Sequence, residues 1–412
     1  VRQGQADRQS RETAEAVARR SYGKLVAFLA ARIRDVAGAE DALSDAFAAA
    51  LSEWPRNGIP ARPEAWLLTV ARRRMLDGLR RRRAADDAGD ALRLMAELSA
   101  PEKAQFPDTR LALMFACAHP AIEAAIHAPL ILQTVLGFDA ATIGSAFLVS
   151  PATMGQRMVR AKGKIKQAGI PFRIPEANEL AGRLDGVLAA IYAAFSEGWS
   201  DPEGTETRRR GLAEEGLWLG QLVASLMPDE PEALGLSSLM LYAEARRGAR
   251  RSAGGEYVPL AEQDPAAWDK ALIDRAEKLL FRAGSMRRIG RYQLEAAIQS
   301  AHAARRLTGR TDWPAIEQLY RALVRITGSP VVEINRALAL AELQGPAAGL
   351  AVLDRLDGDR RLSDYQPFWA ARAGLLARAG QAEDAAQAYD RAIGLEPDPA
   401  VRRFLQKRRE AA

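Results

Sequence analysis

Apolar residues recur at three- and four-residue spacing along most of this chain of 412 residues. The clearest case is Ala42, Leu43, Ala46, Phe47, Ala50 and Leu51, whose opposite face carries Glu40, Asp41, Asp45 and Glu53. That period suits a helix with one face buried and one in water. Alanine, leucine and arginine dominate, and runs of β-branched residues are scarce; both favour helix over strand. The chain is therefore read as all-α, and it is long enough for two or three domains.

The net charge of +6 is small for this length, so its clustering carries the information. From Trp66 to Arg83 one expected helix holds seven arginines against a single acid, Asp77. On a helical wheel Leu68, Ala71, Met75 and Leu79 stack on one side, widened by Leu67 and Val70. Trp66, Arg73, Asp77 and Arg80 form a roughly opposite stripe. A basic face with an aromatic on it suits a phosphate backbone and unstacked bases. The plain alternative is a solvated surface helix.

Around that helix the chain divides. Residues 1–11 are polar and expected to fray, and a helix is expected from Thr13 to Arg34. The acidic-faced helix runs from Ala39 to Trp54, and a Pro/Gly-rich loop from Pro55 to Pro63 contains Arg56 and Arg62. The first domain is assigned to 12–84 and a linker to 85–107, rich in acids and alanine, with one short helix near Ala91–Leu98. A second small domain spans 108–173. Its end has helix–turn–helix grammar: a short helix at Ala140–Phe147, then Ser150 as cap and Pro151 as first helical residue. In the next helix Met154, Met158, Ala161 and Ile165 share one face. Thr153, Arg157, Arg160 and Lys164 share another, with Gln156 at its edge. From Ser150 to Arg173 there are six basic residues and no acid. A helix buried on one side and cationic on the other is what a major-groove reader needs.

Residues 176–412 read as a helical extension without such a basic stripe. From about 300 a repeat is visible. Trp369, Ala373, Leu376, Gly380, Ala385, Tyr389, Ala392 and Pro397 fall at the offsets of a tetratricopeptide (TPR) hairpin. Looser versions place Ile316, Tyr320 and Leu323, and Gly349, Leu353 and Leu356, in second helices of earlier hairpins. The tryptophans Trp199, Trp218, Trp268, Trp313 and Trp369 are read as core.

No active site is legible. His119, His127 and His302 are scattered, and Cys117 with His119 supplies two ligands where zinc needs three or four. No phosphate-binding glycine loop or nucleophile elbow is present. We therefore expect no catalytic residue, no metal and no cofactor. The single cysteine fits a reducing compartment. No apolar run is long enough to span a membrane, and the opening residues lack the apolar segment of a secretory signal. The expectation is a cytoplasmic protein with no membrane contact.

Two basic helical elements in separate small units, one of them helix–turn–helix, have a counterpart. AGAEDALSDAFAAAL at 37–51, PEAWLLTVARRRMLDGLRRRR at 63–83 and the segment 138–166 resemble region 2 and region 4 of extracytoplasmic-function σ70-type sigma factors. RLALMFACAHPAI at 110–122 and RAKGKIKQAGIPFRIP at 160–175 are similar to a subgroup with a long helical extension. EGWSDPEG, LMPDEPEALGLSSLMLYAEARR and GRYQLEAAIQSAHA, beyond 196, resemble that extension. The resemblance implies a non-enzymatic factor that binds core RNA polymerase and promoter DNA. It implies that Glu40, Asp41 and Asp45 meet the polymerase clamp. Arg56, Arg62, Trp66, Arg73, Asp77 and Arg80 would take the −10 element, and Thr153, Gln156, Arg157, Arg160 and Lys164 the −35 element. Lys162, Lys164 and Lys166 are expected near phosphate.

The family often has asparagine where Arg73 stands, which assigns Arg73 to phosphate rather than a base edge. It often has glutamine at Ser44 and alanine at Gly144, where glycine is expected to soften the helix. The fused extension implies control in cis, or a grip on polymerase or a regulatory protein. The competing readings are a polymerase-independent helix–turn–helix regulator and a TPR-type adaptor.

Overall fold

The computed structural model describes residues 2–82, 109–147, 149–173, 175–200 and 211–412. Among these there are nineteen α-helices, and the only strand-like pairing is one isolated bridge between Arg251 and Tyr257. The expected linker 85–107, with its short helix at Ala91–Leu98, lies outside the described residues. Contacts divide the chain into two units, Val1–Ala194 and Phe195–Ala412.

The first unit contains α1 (Arg2–Ile33), α2 (Val36–Asn57), α3 (Pro63–Arg82), α4 (Arg110–Cys117), α5 (Ala124–Leu136), α6 (Ala140–Ala146), α7 (Pro151–Gln167) and the start of α8 (Ala177–Ser200). The first helix begins eleven residues before the expected Thr13. Ser10, Ala14 and Val17 are buried along it. α2 opens on Asp35, whose carboxylate accepts the N–H of Gly38 at 3.0 Å. It continues through Pro55 to Asn57, into the expected loop, and the Gly58 N–H closes it on the Trp54 carbonyl.

The two small domains expected as separate units pack directly on each other. α1 lies against α4 and α5, and α2 against α7. At Gly23 the α1 backbone comes so close to α5 that a Cβ would stand 1.7 Å from the Val135 carbonyl oxygen. The α6–α7 pair forms as its caps predict, with Ser150 at the cap and Pro151 first in the helix. Gly144 lies within α6, where the turn into α7 passes close to it. A Cβ there would lie 2.5 Å from the Val149 carbonyl oxygen, so the glycine admits the turn.

The second unit holds the end of α8, then α9 (Leu212–Leu226), α10 (Pro231–Ala245), α11 (Lys270–Ser285), α12 (Arg291–Ala303), α13 (Arg305–Thr308), α14 (Trp313–Thr327), α15 (Pro330–Gln344), α16 (Pro346–Asp354), α17 (Gln366–Arg378), α18 (Ala382–Leu395) and α19 (Pro399–Glu410). Helices here pack mainly on chain neighbours, the pattern of stacked helical pairs. α8 begins at Ala177, beside the expected start at 176, and the division of contacts falls within it, at Phe195. The Glu232 carboxylate accepts the N–H groups of Tyr292 and Gln293 at 2.9 and 3.1 Å, satisfying the orphan donors that open α12. Ala373, Leu376, Ala385, Tyr389 and Ala392 are buried in the α17–α18 hairpin, with Trp369 packed against them. Of the tryptophans read as core, Trp268 is buried but Trp218 is 46% exposed.

Candidate nucleic-acid interface

α3 buries Leu67, Leu68, Ala71 and Met75. That leaves Arg73, Arg74 and Asp77 exposed on the other side. Arg56, in the last turn of α2, and Arg62, just before α3, are also exposed. Trp66 is not free on this stripe. It is half-buried, and its ring meets Trp54 edge-on with centroids 5.6 Å apart. Trp54 itself is 2% exposed, so the pair anchors α3 to the end of α2. Sequence reading missed this pairing, although Trp54 ends the apolar stripe that begins at Ala42. Arg80 lies on α3, but its side chain is outside the described residues.

On α7 the buried face is Met154, Met158, Ala161 and Ile165, as the spacing predicts. Thr153, Gln156, Arg160 and Lys164 are exposed and Arg157 is half-buried beside them. The Thr153 hydroxyl accepts the Ser150 O–H at 2.8 Å, so the cap holds it. Val159, 71% exposed, adds an apolar patch next to Arg160 that periodicity alone did not single out.

Two lysines expected near phosphate are engaged otherwise. Lys162 Nζ donates to Glu40 Oε2 at 2.6 Å, and Lys166 Nζ to Asp35 Oδ2 at 2.6 Å. Both acids belong to the start of α2. Asp35 therefore caps α2 and holds α7 with one carboxylate. The Glu40–Lys162 pair is sheltered, with side chains 15% and 12% exposed. Burial raises the Glu40 pKa even with Lys162 opposing it, so desolvation exceeds the attraction. Glu40 is thus turned into the fold, whereas Asp41 and Asp45 are exposed on α2. Neither lysine pairing was legible, because each joins residues more than a hundred positions apart.

Cys117 is buried, 3.6 Å from the Thr134 hydroxyl, and burial pushes its thiol up to about 12. His127 Nε2 lies 3.0 Å from the Ile122 carbonyl oxygen. Among the described residues no group of three or more His, Cys, Asp or Glu is placed to hold a metal. No described helix is long and apolar enough to cross a membrane.

Comparison with known proteins gives these helices an assignment. Residues 17–85 match the model of Sigma-70 region 2, which covers α2, α3 and most of α1. Residues 183–284 match a family of unknown function, DUF6596. An uncharacterized protein of Rhizobium meliloti (strain 1021) is 40% identical over 365 residues, which is 87% of this chain and 86% of that protein. No solved structure matches. The region 2 match suggests a sigma-factor role in transcription initiation for these N-terminal helices and implies binding to core RNA polymerase. The chain belongs to the family of the Rhizobium protein, and it joins a Sigma-70 region 2 domain near its N-terminus to a DUF6596 domain.

Proposed function

We propose that this chain is a sigma factor of the extracytoplasmic-function type that carries both promoter-reading units. The observation that carries the reading is the pairing of a Sigma-70 region 2 match on α1–α3 with a second helix, α7, whose wet face is cationic and free of acid. Asp41 and Asp45 are the carboxylates on α2 open to the polymerase clamp, and Glu40 joins them only when Lys162 releases it. Arg56, Arg62, Arg73, Asp77 and Arg80 serve the −10 element. Trp66 stacks on a base only if its half-buried ring is not fully taken up by Trp54. Stacking is worth about 1–3 kcal/mol per base.

Gln156, Arg157 and Arg160 read the −35 major groove, with Thr153 at the helix start and Val159 against a thymine methyl. Arginine to guanine supplies on the order of 1–3 kcal/mol of discrimination. Lys164, exposed and without a carboxylate partner among the described residues, is the phosphate contact. The TPR-like extension modulates the factor in cis or presents it to a regulatory protein. The test is reconstitution of the full chain with core polymerase on genomic DNA, with mapping of transcript 5′ ends. Discrete starts above the core-only background are expected, and their absence overturns the reading.

A further inference from the structure

The last helix of the second unit returns to a segment near the unit's start. Between α10 and α11 the chain makes a tight hairpin. Arg251 bridges Tyr257, the Ser252 N–H donates to the Glu256 carbonyl at 2.9 Å, and the Val258 N–H donates to the Arg250 carbonyl at 2.8 Å. Gly255 turns it with a φ of 77°, a left-handed angle that suits glycine. α19 meets this hairpin and the turn that follows it. Arg251 pairs with Asp398, Lys407 Nζ donates to Glu256 Oε1 at 2.6 Å, and Arg408 pairs with Glu262. Tyr257 meets Phe404 edge-on, with ring centroids 5.4 Å apart. The three ion pairs join residues 146 to 151 positions apart, whereas the helices of this unit pack mainly on chain neighbours.

The junction is unequal along its length. Asp398 has two tasks: one oxygen caps α19 by accepting the Ala400 N–H at 2.8 Å, and the other takes Arg251. That pair is sheltered, with side chains 14% and 21% exposed. The two pairs at the other end of the helix stand in water, each of their four side chains half exposed or more. Exposed pairs are weak and salt screens them. α19 is held differently on its other side. Leu405 is buried in the core it shares with α18, and Val401 packs against that core. Salt screens charge and leaves apolar burial standing. Raised salt or a lost pair therefore acts on the hairpin side of α19 before the α18 side.

We propose that this junction is an ionic latch. Closed, it holds α19 against the hairpin. Open, α19 stays seated on α18 and the hairpin is freed. Glu256 and Glu262 then lose their partners on one side, and Lys407 and Arg408 on the other. Control by the extension, as proposed above, requires an element with two states. The latch supplies one, and it stands without that reading, because its test uses neither polymerase nor DNA.

Double electron–electron resonance on the full chain reads the latch directly. Ala253→Cys on the hairpin and Ala411→Cys just past α19 are exposed positions outside the pairs. Each takes a nitroxide, while the native Cys117 is buried and stays unlabelled. At low salt a single short distance is expected. At about 1 M salt, where the screening length is about 3 Å, a second, longer distance should appear. Lys407→Gln with Arg408→Gln removes two exposed pairs and should raise the ratio of open to closed at low salt about two- to thirtyfold. Arg251→Gln should raise it further, since its pair is sheltered, and it leaves the Asp398 cap in place. Arg409→Gln removes the pair that α19 makes with Asp390 on α18 and should leave the distance as it was. Circular dichroism checks the fold of each variant, and if Arg251→Gln does not fold, the exposed double variant carries the test. The proposal is overturned if the parent keeps its low-salt distance at high salt, or if the double variant keeps it at low salt. A shift in Arg409→Gln equal to that of the double variant overturns it too.

Discussion

Lys162 and Lys166 on α7 donate to carboxylates; Arg246 and Arg250 in the second unit donate to carbonyl and amide oxygens, with Asp398 acting on Arg250 from further off. All four look alike in the sequence, as cations in helical or near-helical segments. The difference lies in what each has already been given. A lysine answered by Glu40 has its charge balanced inside the fold and is a poor candidate for a phosphate contact. An arginine whose hydrogen bonds go to neutral acceptors has its charge offset only from a distance, as Asp398 does for Arg250. The comparison teaches that a basic cluster is read by its partners before its count. It also splits α7 into a flank that joins α2, Lys162 and Lys166, and an exposed flank, Arg160 and Lys164, which is the one proposed to meet DNA.

The comparison breaks first at Glu40. Lys162→Met leaves a sheltered carboxylate without its counter-ion, and removing one partner of such a pair costs on the order of 3 kcal/mol. Urea unfolding should show that loss, and Glu40→Gln in the same chain should restore most of it. The pH dependence has a definite sign. The folded-state pKa of Glu40 is already raised, and losing Lys162 raises it further. The ionised form then costs stability above that pKa, and the cost fades as pH falls and the carboxyl takes up its proton. The deficit of Lys162→Met should therefore be largest at neutral pH and shrink in acid. A deficit that is flat with pH would mean that Lys162 acts through its methylene packing instead.

A second break concerns the DNA flank. Arg160→Ala should relax base preference at one −35 position by about 1–3 kcal/mol, read as a redistribution of mapped start sites. Lys162→Met, chosen from the other flank, should leave that preference alone. Uniform weakening of all promoters by Arg160→Ala would demote it to a phosphate contact.

Much of the fold was legible because it is local. The buried stripe of α7 follows from spacing alone, as do Leu67, Leu68, Ala71 and Met75 of α3 and Ala42, Leu43, Ala46 and Ala50 of α2. Leu51 of the expected α2 stripe, however, is 48% exposed and Phe47 only half-buried. The cap at Ser150 follows from its residue type. What stayed hidden joins distant residues. Gly23 under Val135, Lys162 on Glu40 and Glu232 at the head of α12 are contacts between elements, and a period says which face is buried but not what covers it. The candidate site divides the same way. Gln156, Arg160 and Lys164 stand exposed where the wheel put them, because the buried face was unambiguous. Glu40 did not, because the wheel sees only its own helix. Trp66 is intermediate: the wheel put it on the polar side, and Trp54 on the preceding helix half covers it.

Smaller effects sharpen the division. Asp35→Ala removes the α2 cap and the Lys166 partner together, and losing an N-cap costs about 1 kcal/mol. Lys166→Ala removes only the second of these. Lys166 is half exposed, and an exposed ion pair contributes on the order of 0.2–1 kcal/mol. The two variants should therefore differ by most of the cap's contribution in urea unfolding; equal losses would place the value in the ion pair and not in the cap.

The finest test sets Lys164 against Lys166, two residues apart on one helix. Every phosphate neutralised by a lysine releases condensed counterions, and the salt slope of DNA binding records how many. Among the described residues Lys164 has no carboxylate to leave, so the phosphate contact proposed for it would cost nothing inside the fold. Lys166 must first give up Asp35, and the exchange of one anion for another leaves little net gain. With polymerase holoenzyme on promoter DNA, Lys164→Ala should lower the slope of log affinity against log salt by about 1. Lys166→Ala should leave it within error of the parent. If both lower it equally, the Asp35 pair opens on DNA, and the two flanks of α7 become one DNA-facing surface once the helix is engaged.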